Sequence, residues 1–268
     1  MDIRQKIIDQ LKKLTSHSYL EILTRGNAAI WSALHAAPKE VLVPEEGGWL
    51  TFLHYPPKLK LNITKVKTNQ AILDLKDLEE KSKTANILLY QNPGGYFAPQ
   101  PIKEIYQICQ KNNCLTIMDV SGSLGTKLCK GNYADILVGS FGRWKLIDAG
   151  VGGFISCKNK ALFSQLKSTF KVLNEPAKLR IILDKINNLD ERINFLLNKR
   201  KQILQDLKNF PFLHKNSLGF VLVAPYQTQK EKEKLIKYCQ NNHLNYTECP
   251  RYIRINQKAI SIEIKQLP

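Results

Sequence analysis

The apolar positions of this 268-residue chain change their period along its length, and the changes mark out its elements. Residues 1–14, MDIRQKIIDQLKKL, put Ile3, Ile7, Leu11 and Leu14 on one face of an amphipathic helix. From about 24 to 157, short β-rich runs alternate with helical stretches. Strands are predicted at 41–43, 63–66, 87–90, 115–119, 135–139 and 152–157, and helices at 75–83 and, behind Pro101, at 102–112. Apolar strands separated by helices predict a largely parallel sheet covered on both faces. Ligands of such sheets bind beyond the carboxyl ends of the strands. Past residue 158 the pattern turns helical, with apolar positions from Leu179 to Leu207 at helical spacing over 177–209. No glycine or proline interrupts that stretch, which predicts one long connecting helix packed against both halves. A strand at 218–223, a helix at 229–241 and strands near 251–255 and 260–264 then make a small α+β unit. The expected organisation is an α/β large domain over 1–170 and, over 171–268, the connecting helix with the small α+β domain.

Composition narrows the class. With 43% hydrophobic and 24% charged residues, the chain can bury a core. No run approaches the roughly 18 apolar residues of a membrane span, and the N-terminal segment has neither an apolar signal core nor a small-residue cleavage site. Six cysteines (109, 114, 129, 157, 239 and 249) are scattered without a CxxC or a nearby His pair. That excludes a zinc site or disulfide framework at the level of spacing, and predicts a cytoplasmic protein without a metal. The net charge of +17 would attract polyanions. Its lysines are spread over helix faces and no aromatic RNA-binding box accompanies them, so a dedicated nucleic-acid role is not favoured.

Candidate chemistry sits where the strands end. The segment SFGRWKLIDAGVGGF, 140–154, follows the strand DILVG and carries Lys145 five residues after Ser140, with glycines at 150, 152 and 153. A lysine in a partly desolvated loop can hold a deprotonated amine that attacks an aldehyde. The Ser140 hydroxyl can donate to a phosphate, and the glycines allow close backbone approach. Asp119 ends the strand LTIMD, where a buried acid needs a cationic partner such as a protonated ring nitrogen. Gly26-Asn27-Ala28 opens the helix containing Ile30, Trp31 and Leu34, whose free N–H groups suit a phosphate. Each piece has a plainer reading: Asp119 as a helix cap, Gly26-Asn27 as a turn, Lys145 as a solvated lysine.

Together these residues resemble the fold-type I enzymes dependent on pyridoxal 5'-phosphate (PLP), and most of all the DegT/StrS group of sugar aminotransferases. That group carries a pattern like S-F-H-x-x-K-x-x-x-x-G-x-G-G, matched here by Ser140-Phe141-Gly142-Arg143-Trp144-Lys145 with Gly150, Gly152 and Gly153. Its strand-ending aspartate matches Asp119, followed by Leu124-Gly125, and its phosphate turn matches Arg25 to Ile30. VLVPEEGGW resembles the group's V-x-V-P-x-x-T-F and places Trp49 where an aromatic would stack on the cofactor ring. The alternative for Trp49 is a core anchor. The likeness spans about 20–160 and implies a fold-type I, three-layer large domain with a small C-terminal α+β domain.

The resemblance implies an aminotransferase in which Lys145 forms the internal aldimine and then serves as base, while Asp119 holds the pyridinium. The group's histidine is replaced by Gly142 and a polar residue after the aspartate by Gly122. Asn92, in an Asn-Pro like that of class I aminotransferases, or Ser121, in a serine-rich stretch like that of class V, would then contact the cofactor 3-hydroxyl. Arg254, in the strand RYIRIN, resembles the arginine that grips a substrate α-carboxylate; its alternative is a surface strand arginine. The expected partners are an amine or amino-acid substrate and a second copy of the chain. Two rival readings remain: a PLP-dependent lyase or desulfurase, which needs a mobile nucleophilic cysteine, and a basic PLP-fold protein that acts on or binds RNA.

Overall fold

A computed structural model describes residues 2–268. Its elements in chain order are α1 (Ile3–Thr15), β1 (Tyr19–Leu23), α2 (Gly26–Leu34), β2 (Glu40–Pro44), α3 (Leu50–Lys58), β3 (Asn62–Val66), the two-residue strands β4 (Thr68–Asn69) and β5 (Ile72–Leu73), α4 (Leu75–Lys81), β6 (Ile87–Gln91), α5 (Ile102–Lys111), β7 (Leu115–Asp119), β8 (Ile136–Ser140), β9 (Gly153–Cys157) and α6 (Lys160–Leu166). There follow α7 (Pro176–Asn187), α8 (Leu189–Asp206), β10 (Leu222–Pro225), α9 (Gln229–Asn241), β11 (Tyr246–Cys249) and β12 (Ala259–Ile262).

A seven-stranded sheet runs in the order β1-β9-β8-β7-β6-β2-β3. The pairs from β8 to β3 are parallel, and β9 runs against both its neighbours. The alternation of side chains divides the core between the two faces. Leu42, Leu88, Tyr90, Met118 and Leu137 pack on one side with α1, α5, α7 and α8. Val41, Val43, Leu89, Ile117 and Val138 pack on the other with α2 and α3. This is the three-layer α/β arrangement expected of strands buried on both faces. The small sheet, β10-β12-β11, is wholly antiparallel. A third apolar cluster of Tyr96, Phe97, Val221, Val223 and Ile255 joins it to the loop after β6.

Several local expectations change. The edge strand β1 lies before the segment that the pattern marked, and residues 50–58 form a helix where the pattern marked no element. The connecting stretch is two helices separated at Asn188, which leaves helical backbone at φ −99° and ψ 14°. Leu189 opens the second against Gly125, so the break follows a tertiary contact. Residues 218–221 precede the small sheet instead of starting it, because the Phe220 N–H donates to the Tyr96 carbonyl. Residues 251–255 form a turn: the Arg251 N–H donates to Ile255 O, and the Arg254 N–H to Arg251 O. Arg254 therefore does not sit on a strand.

Candidate functional site

The parallel strands end along one rim, and the register sets their terminal residues side by side. Gln91 pairs with Asp119, and Asp119 with Val138, two residues before Ser140. The Ser121 N–H donates to Asp119 Oδ1 at 2.8 Å, and the Ser140 N–H donates to Ser121 Oγ at 2.9 Å. Ser121 Oγ thus accepts from the backbone, while its hydroxyl faces the Asp119 carboxylate. Gly26 opens α2 directly against this rim, where an added Cβ would fall 2.5 Å from Ser140 Cβ. Only glycine lets the helix start approach Ser140 so closely. Arg25 supplies no side-chain cap to α2, so its first turn remains available to an outside acceptor.

Above the rim lies a cavity of about 630 Å³, lined by Gly26, Asn27, Trp49, Asp119, Ser121, Ser140 and Lys145, among others. That volume suits a cofactor-sized molecule. Lys145 Nζ donates to the Tyr96 hydroxyl at 2.7 Å and stands 4.9 Å from the centre of the Trp49 ring. Burial lowers the Lys145 ammonium below the ordinary lysine range, with the Asp119 charge acting against it. Burial likewise pushes the Asp119 carboxyl up, opposed by the Ser121 hydrogen bonds and by Lys145. Asp119 is 4% exposed and has no cation in hydrogen-bonding contact among the described residues.

Tyr96 was not among the expected site residues. Its backbone lies in the left-handed region at φ +69°, and its ring occupies the space a side chain at Gly122 would fill, 2.6 Å from the hypothetical Cβ. The replacement of a polar residue by Gly122 was the sequence signal for it. Of the far wall only Arg254 was expected; Glu263 and Lys265 were not. Arg254, 3% exposed, donates to both carboxylate oxygens of Glu263 at 2.7 and 2.6 Å from Nη2, and to Ser261 Oγ and Glu263 Oε1 from Nε. Lys265 Nζ stands 3.4 Å from Glu263 Oε2 and 5.0 Å from the Tyr96 ring centre.

The expected residues therefore divide. Lys145, Asp119, Ser140, Ser121, Gly26, Asn27, Trp49 and Arg254 all line the cavity. Ala28 does not; its N–H closes the first turn on Arg25 O and its side chain packs on the core. Asn92 is fully buried with both polar ends taken, donating to Leu128 O and accepting from the Gln100 N–H. It braces the loop after β6 and is not placed to touch a ligand. All six cysteines are buried, and among the described residues no cluster of ligating side chains could hold a metal. No helix among them is long and apolar enough to cross a membrane.

Residues 187–268 match the family model described as the C-terminal domain of the MJ1341 family. No curated protein matches the chain. Among solved structures, 3-amino-5-hydroxybenzoic acid synthase superposes with a TM-score of 0.78 at 12% identity, over 100% of this chain and 87% of its own. Serine palmitoyltransferase of S. paucimobilis, with a bound PLP–myriocin aldimine, gives 0.74 at 13% identity, covering 98% and 71%. Serine palmitoyltransferase of Sphingomonas wittichii gives 0.74 at 14%, covering 97% and 70%. The chain therefore has the fold of the PLP-dependent fold-type I enzymes.

Proposed function

We propose that this protein is a PLP-dependent enzyme with an aminotransferase-like site, in which Lys145 is the amine that binds the cofactor aldehyde. The observation that carries the reading is a buried acid and a buried amine facing one cavity, each with its charge incompletely compensated. A ligand with a protonatable ring nitrogen and an aldehyde would satisfy both. The fit extends along the cavity. Gly26, Asn27 and Ser140 leave a cradle for a phosphate at the start of α2, and Trp49 offers an aromatic face. Ser121, which lines the cavity where Asn92 does not, is the better-placed partner for a ring hydroxyl. When bound, PLP supplies an electrophilic aldehyde and a ring that accepts electrons.

This chain's own residues do the rest. Desolvation favours the neutral form of Lys145, the form a nucleophile or base requires. The Tyr96 hydroxyl, whose ionisation burial opposes, stays protonated and fixes Nζ over Trp49. Lys145 Nζ is then placed to take a proton from a substrate carbon held over that ring. Asp119 stabilises a cation at the rim. Six basic residues line the cavity (Arg25, Arg143, Lys145, Arg251, Arg254 and Lys265) against Asp119 and Glu263, a balance that draws anionic ligands. The desulfurase alternative loses support, because a mobile nucleophilic thiol is required and all six are buried. Burial pushes the thiols of Cys129, Cys157 and Cys239 up to about 12.

The test is the visible absorbance of protein reconstituted with PLP. A band that borohydride removes is expected in the native chain, and its loss with retained fold is expected in Lys145→Ala. A reducible band that survives in Lys145→Ala would overturn the assignment.

A further inference from the structure

A substrate carboxylate has an obvious arginine in this cavity, and that arginine is already occupied. Of the five N–H donors of Arg254, the one on Nε and both on Nη2 are directed at Glu263 and Ser261, and one on Nη1 donates to Ile253 O at 2.6 Å. One N–H on Nη1 is left. A fork-to-fork grip on a second carboxylate needs two parallel donors, so Arg254 cannot supply it without giving up a buried ion pair. Lys265 is in the opposite condition. It is 5% exposed and lines the cavity, and its single anionic neighbour is Glu263 Oε2 at 3.4 Å. Among the described residues Nζ has no other acceptor, so at least two of its three donors are free in a nearly dry wall.

We propose that Lys265 is the residue that receives the carboxylate of the substrate, with Arg254 and Glu263 serving as its support. This deepens the PLP-enzyme reading by naming a carboxylate-bearing substrate class for the side of the cavity opposite the phosphate cradle. Charge selects a carboxylate over a phosphate there. Arg254 and Lys265 against Glu263 leave one net positive charge on the wall, which a monoanionic group neutralises. A phosphate dianion would put two charges on one spot beside the Glu263 carboxylate, whereas each end of a dicarboxylate brings one. The groups facing Lys265 are Glu263, which favours its charge, Arg254 and Lys145, which oppose it, and the Tyr96 ring. Burial lowers its pKa to about 8, so the ammonium form that binds an anion prevails at neutral pH and is lost above about 8.

The probe is succinate, titrated calorimetrically into the full-length protein at pH 7, with uncharged succinamide as control. Native protein is expected to bind succinate and not succinamide. Lys265→Met should lose affinity by about tenfold or more, the worth of a charge-assisted hydrogen bond. The exposed Lys234→Met, on α9 and outside the cavity lining, should change little. Lys265→Met leaves Glu263 paired with Arg254, so no buried carboxylate is stranded without a cation and the Met variant is expected to fold. A second measurement needs no variant. Acetic anhydride labelling of Lys265, read by peptide mass, should be slowed by succinate in the native protein. Succinate affinity unchanged in a folded Lys265→Met, or labelling of Lys265 indifferent to succinate, overturns the proposal. Neither readout depends on PLP. Failure of the reducible band with succinate binding intact would sink the cofactor reading alone, and the reverse result would sink the Lys265 subsite alone.

Discussion

Two buried acids in the cavity carry opposite shifts, and the difference separates support from function. For Glu263, burial by itself would raise the pKa, but Arg254 and Lys265 outweigh it and hold the carboxyl down to about 2. A depressed carboxyl pKa contributes stability that is present above the unfolded value of about 4.3 and is lost as pH falls through about 2. Acid titration should therefore reveal a loss of stability below pH 4.3 that is absent in Glu263→Gln, measured by urea unfolding at each pH. Glu263→Ala at pH 7 should cost about 3–5 kcal/mol, because it leaves Arg254 charged and unpaired in the interior. For Asp119 the sign reverses. Its carboxyl is raised by burial, so it lowers stability at pH values above the unfolded carboxyl pKa, where folding must keep it charged. Asp119→Asn keeps an acceptor for the Ser121 N–H and removes the charge. The ligand-free variant should gain about 1 kcal/mol, read as a Tm about 2–4 °C higher. Its turnover with PLP should fall severely, since no carboxylate then holds the ring nitrogen protonated. A ligand-free Asp119→Asn less stable than the native chain would contradict this account of the carboxylate.

At the scale of elements, what could be read from the sequence and what could not have separate physical causes. The strands of the large sheet are buried on both faces, so their apolar runs needed no knowledge of neighbours, and 115–119 and 87–90 emerge nearly at their true bounds. Lys145, Asp119, Ser140 and Gly26 were legible for the same reason, since each follows or ends such an element. Of the C-terminal wall, only Arg254 was. Ile260, Ile262 and Ile264 alternate with Ser261, Glu263 and Lys265, a pattern that reads as one apolar face and one solvated face. Here the polar set is buried, with Glu263 and Lys265 turned to the cavity, and alternation cannot distinguish a cavity from solvent. RYIRIN likewise alternates as a strand does, but two backbone hydrogen bonds fold it into a turn that delivers Arg254 to Glu263. The break at Asn188 carries no glycine or proline to announce it; its cause lies in Gly125, 63 residues earlier and at φ +80°, whose bare Cα receives Leu189. Gly125→Ala would place a Cβ 2.5 Å from Leu189 Cδ2 in a conformation that disfavours any side chain. The expected cost is about 2 kcal/mol in chemical denaturation. A neutral Gly125→Ala would mean that the start of α8 is positioned by something other than this contact.

For the molecule as a whole, the open question is what covers the cavity mouth. A homodimer that closes the cavity would draw on the apolar residues Trp49, Leu50, Phe52 and Leu53, and the structure divides that set. Phe52 is fully buried in the core beneath α3, while Trp49 and Leu53 are partly buried against the same cluster. Leu50 is 46% exposed, and it is joined by Trp144, also 46% exposed and held with a left-handed backbone beside Lys145. Both line the cavity, so a partner that buried them would close the site. Exposed large apolar groups at the rim of a functional cleft are a mark of association surfaces. Charge works against such association, because each chain carries +17 and two copies repel. An apolar contact must outweigh that repulsion, and salt, which shortens the Debye length to about 8 Å at 0.15 M, should help it. We therefore expect a two-fold dimer that tightens as salt rises, the reverse of the behaviour of a polyanion complex, which salt weakens. Light scattering at low micromolar concentration should give twice the 30.7 kDa chain mass. Replacing Leu50 and Trp144 together by glutamate should shift the chain towards monomer while leaving its far-ultraviolet dichroism unchanged. A native mass of one chain with PLP bound, at both low and physiological salt, would rule the dimer out and leave the cavity to close by some movement within a single chain.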